Sequence, residues 1–176
     1  LILHAGGVDD GGAGYAFVGP SGAGKSTLVG ELVSNPLEAA EAATMNTTNT
    51  REAAEAARTS GGAPVVLGED QVILRYQAGQ FLVYGTPWHT DPARCSPGGV
   101  PLRKLFFLDR ANGHGIEPCG PRAGVERLLQ NALIPYYNRA GLERILDTLL
   151  RLAGQVPFYS LGFQIGAGAL ALIREA

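Results

Sequence analysis

An α/β fold with a mixed parallel and antiparallel sheet is what the sequence predicts, and three observations carry that expectation. A Gly-rich loop, Gly19-Pro-Ser-Gly-Ala-Gly-Lys-Ser-Thr27, joins an apolar run to an apolar-patterned segment, the strand–loop–helix unit from which parallel sheets grow. Two apolar runs at 71–76 and 80–84 flank Gln77-Ala-Gly-Gln80, the spacing of an antiparallel hairpin. Two later segments repeat leucine at helical intervals. Antiparallel pieces beside a strand–loop–helix unit exclude a plain succession of βαβ units.

Taken in order, residues 1–4 read as the end of a strand, so the chain, which starts at Leu1 without Met, reads as a fragment or a processed form. Residues 6–12 (Gly-Gly-Val-Asp-Asp-Gly-Gly) read as a turn, and 14–18 as the strand entering the loop, a hairpin-like spacing. Leu28 and Leu32 mark the helix that follows. Residues 64–67 and 102–108 are short apolar strands. Val125, Leu128, Leu129, Ala132 and Leu133 fall at i, i+3, i+4, i+7 and i+8, ended by Pro135; Leu142, Ile145, Leu146, Leu149 and Leu150 repeat the pattern. Both stripes are expected to be core faces. Residues 157–161 read as a last strand. The length suits a single domain over 1–176. Residues 36–62 stand apart, because Leu-Glu-Ala-Ala-Glu-Ala-Ala recurs almost unchanged after a Thr/Asn stretch. An Ala/Glu face buries little, so an inserted or mobile segment is expected there.

A net charge of −2 and a pI near 5.9 give no electrostatic case for nucleic acid or an anionic membrane. No apolar run reaches the ~18 residues a membrane span needs. Cys95 and Cys119 fit neither a metal spacing nor a disulfide framework, so a reducing, cytoplasmic setting is expected. Twelve arginines stand against two lysines, Lys25 and Lys104. Where Arg supplies almost every cation, a Lys inside the Gly-rich loop points to chemistry suited to a compact ammonium.

That loop satisfies G-x-x-x-x-G-K-[ST], the P-loop pattern. Glycines let backbone N–H groups approach phosphate oxygens, and the helix directs its positive end at them. Lys25 reaches the β- and γ-oxygens, and Ser26 offers a hydroxyl to Mg²⁺. A Mg²⁺-side carboxylate is also required, and two candidates compete. Glu69-Asp70 follows the strand at 64–67, and Asp109 ends Leu105-Phe-Phe-Leu-Asp109, the form of a Walker B strand. Arg110 follows where hydrolytic ATPases carry Glu, and neither an LSGGQ-like sequence nor a Ser/Arg-rich monophosphate site is present.

His4, fifteen residues ahead of Gly19-x-Ser21-Gly22-x-Gly24-Lys25-Ser26, and then Gly68-Glu69-Asp70-Gln-Val-Ile-Leu after a strand, together resemble the HPr kinase/phosphorylase superfamily. That family is itself similar in fold to phosphoenolpyruvate carboxykinase. The resemblance implies an ATP- and Mg²⁺-dependent kinase that phosphorylates a serine-type hydroxyl of a protein or peptide. It implies that Gly19, Ser21, Gly22, Ala23, Gly24, Lys25, Ser26 and Thr27 hold the nucleotide, with Lys25 also assisting transfer. Ser26 and Asp70 would hold Mg²⁺, Glu69 would act as base with His4 supporting it, and homo-oligomers would be in character. Glu69 stands where the family has Asp, and no E-x-R-G-x-G motif is present, which leaves the phosphorylase half and HPr as substrate without a counterpart. The alternative is a module that holds ATP and transfers nothing.

The loop at 85–94 carries Trp88, His89, Asp91 and Arg94, which suits either substrate contacts or a Pro-stiffened surface loop. His114 reads as a turn residue, and Arg103 and Lys104 as neighbours on opposite faces of a strand.

Overall fold

A computed structural model describes residues 1–34, 64–88, 96, 98–109, 115–162 and 169–176. Residues 36–62, His89, Asp91, Arg94, Cys95 and His114 lie outside the described residues. Eight strands are described: β1 (Ile2–Asp10), β2 (Ala13–Val18), β3 (Val65–Gly68), β4 (Gln71–Gln77), β5 (Gln80–Tyr84), β6 (Gly99–Leu108), β7 (Gly115–Cys119) and β8 (Phe158–Gly162). The described helices are α1 (Lys25–Ser34), α2 (Pro121–Asn131), α3 (Arg139–Gln155) and α4 (Ala169–Glu175).

The fold is mixed α/β on a mixed sheet, as the sequence predicts. β2, β6 and β8 run parallel at its centre, and β1 and β7 pair antiparallel with β2 and β8. The start of β1 pairs with β4, and the start of β6 with β5. Because β2 also pairs with β6, the strands β1, β2, β6, β5 and β4 close into a ring.

Period-two alternation explains why β2 and the second half of β6, Leu105–Leu108, are apolar on both faces. Ala16, Val18, Leu105 and Phe107 face the ring interior and the α2/α3 side; Tyr15, Phe17, Phe106 and Leu108 face α1 and α4. A strand covered on both faces has no position for a polar side chain. On the α1 face, Phe106 stacks on Phe17 and on Tyr159 with ring centroids 5.4 Å apart in each pair, a geometry that adds about 0.5–1.5 kcal/mol per pair beyond burial.

Three expectations are corrected. The turn expected at 6–12 is confined to Gly11 and Gly12, whose φ of 61° and 92° close a two-residue hairpin with Asp10 opposite Ala13. Gly6 lies inside β1, where a Cβ would stand 2.7 Å from the Val29 Cγ2 of α1; it is glycine for close packing. α2 ends at Asn131, before Pro135, because Ala132 bridges to Leu3 and the Leu133 N–H donates to the Ile2 carbonyl at 3.0 Å. The leucine stripes are only partly core. Leu128, Leu149 and Leu152 are fully buried, whereas Leu133, beyond the end of α2, and Leu150, on the outward edge of α3, are 67% and 65% exposed.

Lys104 donates to the carbonyls of Ile173 and Arg174 at 2.9 and 3.0 Å, satisfying the C-terminal end of α4, while its neighbour Arg103 is exposed. Arg174 makes a bidentate pair with Asp10, which holds its guanidinium firmly charged. No described helix is long and apolar enough to cross a membrane.

Gly6→Ala is expected to force Val29 and α1 outward, with an overpacking cost of about 1–3 kcal/mol. Thermal unfolding should show Tm several degrees lower; an unchanged Tm would contradict the close approach of α1 to β1.

Candidate functional site

The site grows from the β1–β2 register. Ala5 stands opposite Val18, so His4 lies beside the start of the Gly-rich loop at Gly19. The Ala5 N–H donates to the Asp70 carbonyl at 2.9 Å, which ties the β3–β4 turn to the same place. That turn is tight: a Cβ on Gly68 would lie 2.6 Å from the Gln71 carbonyl oxygen. The buried Thr86 hydroxyl donates to that same carbonyl at 2.9 Å and braces the turn from β5's far end. His4 Nε2 then meets Asp70 Oδ1 at 3.0 Å. The two side chains are 32% and 58% exposed, so both face solvent.

The loop is folded by its own backbone. Ala23 N–H donates to the Pro20 carbonyl at 3.1 Å, and Leu28 N–H to the Gly24 carbonyl at 2.9 Å, which starts α1. Gly22 and Gly24 have φ of 76° and 98°, a region costly for residues with a Cβ. Leu28, Val29 and Leu32 bury the inner face of α1 against the sheet. Lys25, only 5% exposed, donates from Nζ to the Gly19 and Pro20 carbonyls at 2.8 and 2.9 Å. Burial lowers its pKa from the ordinary 10.5, and the negative charge of Asp70 partly offsets that.

His4, Ser21, Gly22, Gly24, Lys25, Ser26, Thr27 and Asp70 line one open cleft of about 280 Å³. The sequence reading names every one of them. Gly19, Ala23 and Glu69, also named there, do not line it. Glu69 is nearly buried, and its backbone carbonyl accepts a long hydrogen bond from Ser26 Oγ at 3.5 Å. Asp109 does not line the cleft either; its N–H donates to the Leu161 carbonyl at 2.9 Å at the end of β6. The sequence leaves Asp70 and Asp109 as rivals, and the cleft contains Asp70. Trp88 is 54% exposed. Among the described residues no group of three or more His, Cys, Asp or Glu could hold a metal ion by itself.

No family model matches the chain, and no curated protein matches it. Among solved structures, the Hpr(Ser) kinase/phosphatase from Coxiella burnetii is similar at a TM-score of 0.48 and 11% identity, covering 99% of this chain and 87% of that one. At that distance the likeness carries no functional argument.

The lowered pKa of Lys25 fixes the sign of a pH effect. Between its folded-state value and 10.5 the unfolded chain binds more protons than the folded one. Stability therefore rises with pH across that window. Urea unfolding of wild type and Lys25→Met from neutral pH to about 10.5 should show the wild type gaining on the variant; a constant difference would contradict the burial of the ammonium.

Proposed function

We propose that the chain is an ATP- and Mg²⁺-dependent kinase that transfers phosphoryl to a serine-type hydroxyl of a protein or peptide. One observation carries the reading: the Gly-rich loop, Lys25, Ser26 and the His4–Asp70 pair surround a single cleft. The donor set fits a polyphosphate. Two glycines with positive φ open the loop backbone, three hydroxyl residues line the cleft, and the nearly buried Lys25 lines it too. It fits Mg²⁺ as well, since that ion takes only one or two protein oxygens and fills its shell with phosphate and water. Ser26 and Asp70 are those oxygens on the cleft wall.

Bound Mg²⁺ would supply charge neutralisation between β- and γ-phosphates. The chain's own residues do the rest. The amides of the loop and the N-terminus of α1 orient the phosphates. Lys25 exchanges its two carbonyl partners for phosphate oxygens, which its compact ammonium can do without moving the loop backbone. His4 fixes the Asp70 carboxylate through Oδ1, leaving the other oxygen for the metal. The hydroxyl's proton passes to a carboxylate of the 69–70 pair. With both Asp70 oxygens engaged by His4 and the metal, Glu69, the base implied by the resemblance, takes that role from just behind the cleft wall.

Calorimetric titration of Mg²⁺-ATP separates the rival acids. Asp70→Asn is expected to lose the metal-dependent part of binding, and Asp109→Asn to keep it. Lys25→Met should lose at least tenfold in affinity, equivalent to about 1.4 kcal/mol. Metal dependence lost with Asp109→Asn alone would overturn the assignment. Label from γ-labelled ATP appearing on a serine peptide or protein separates a kinase from a module that only holds the nucleotide.

A further inference from the structure

α2 lies unusually close to β8, since a Cβ on Gly124 would fall 2.0 Å from the Phe158 ring. One turn later the half-buried Arg127 places its guanidinium 4.6 Å from the centre of the Phe107 ring and donates from Nη1 to Ser160 Oγ at 3.2 Å. Other described arginines are satisfied differently. Arg122, Arg139 and Arg174 pair with Glu126, Glu143 and Asp10, while Arg75 and Arg151 stay exposed over tyrosine rings. Arg127 is the half-buried one, and the hydrogen bond of its guanidinium goes to a neutral hydroxyl.

Its position matters as much as its charge. Phe107 pairs with Val18 on one side and Ser160 on the other, so Arg127 stands near the C-terminal ends of β2, β6 and β8. Ligands of parallel sheets bind outside those ends. This location shares the edge from which the Gly-rich loop leaves β2, but it lies on the opposite face from α1, because Phe107 packs with the α2/α3 core. Phe107 and Ser160 hold the guanidinium in place, and its planar fork of donors matches two oxygens of one anion. Glu117, exposed and in register opposite Ser160, is the acidic group facing this pair. Its charge limits the affinity for an anion to a modest value.

We propose that Arg127 and Ser160 form a second anion subsite, which takes the carboxylate or phosphate group of a small ligand. The proposal stands independently of the kinase reading, because neither residue lines the loop cleft.

The test is nuclear magnetic resonance of the full chain, following the Arg127 Nε–H and the Ser160 amide during titration with sodium phosphate and, separately, sodium acetate. The expected result is a shift that saturates in the millimolar range, persists in Lys25→Met and weakens several-fold in Ser160→Ala. Arg127→Lys, which keeps the charge and loses the fork, should abolish saturation at the Ser160 amide. Saturation by both anions assigns an oxyanion of either kind; saturation by phosphate alone assigns a phosphate monoester, and by acetate alone a carboxylate. Shifts that do not saturate, or that match those of the exposed Arg122 and Arg139, would overturn the proposal. So would a response lost in Lys25→Met, since the anion would then belong to the loop.

Discussion

The antiparallel register of β1 on β2 is the constraint from which the cleft follows. Ala5 opposite Val18 puts the N-terminal end of β1 at the exit of the strand that feeds the loop. The same Ala5 then uses its N–H to draw in the Asp70 carbonyl. Three separate stretches of chain meet because one pair of strands is in one register. A slip by a single residue would turn His4 into the core and Leu3 toward solvent. The Gly11-Gly12 turn enforces that register from the far end of the hairpin.

The two lysines show how the molecule uses a scarce residue type. Lys104 lies on two carbonyls at the end of α4, and Lys25 on two carbonyls at the start of the loop. In the first case the carbonyls are the unsatisfied end of a helix, and the bond completes the fold. In the second the ammonium is buried in a cleft open to solvent, with its charged form disfavoured by burial. An anion arriving there would relieve that cost, which is why the same contact reads as structural in one place and poised for a ligand in the other.

Legibility in the sequence followed locality. The cleft wall was readable because loop chemistry is written in consecutive residues, and because the family resemblance pointed to His4 and Asp70 despite the long interval between the loop and Asp70. β1 was misjudged at Gly6, where glycine answers to Val29, a residue of another element. The leucines of α3 follow one helical pattern, yet only the packing of α3 against α2 and the core decides that Leu149 is buried and Leu150 exposed. α4 and β7 gave no periodic signal. α4 is seven residues long and held by Lys104, Arg174 and Tyr159, while β7 is an edge strand carrying Pro118. Arg127 was invisible for the same reason, since its partners Phe107 and Ser160 come from two other strands.

A crystal structure of the chain with Mg²⁺ and a non-hydrolysable ATP analogue tests the central claim most directly. The account predicts the β- and γ-phosphates in the 19–27 loop against Lys25, with the metal between Ser26 and Asp70. Phosphates elsewhere, or a metal held by Asp109, would contradict it.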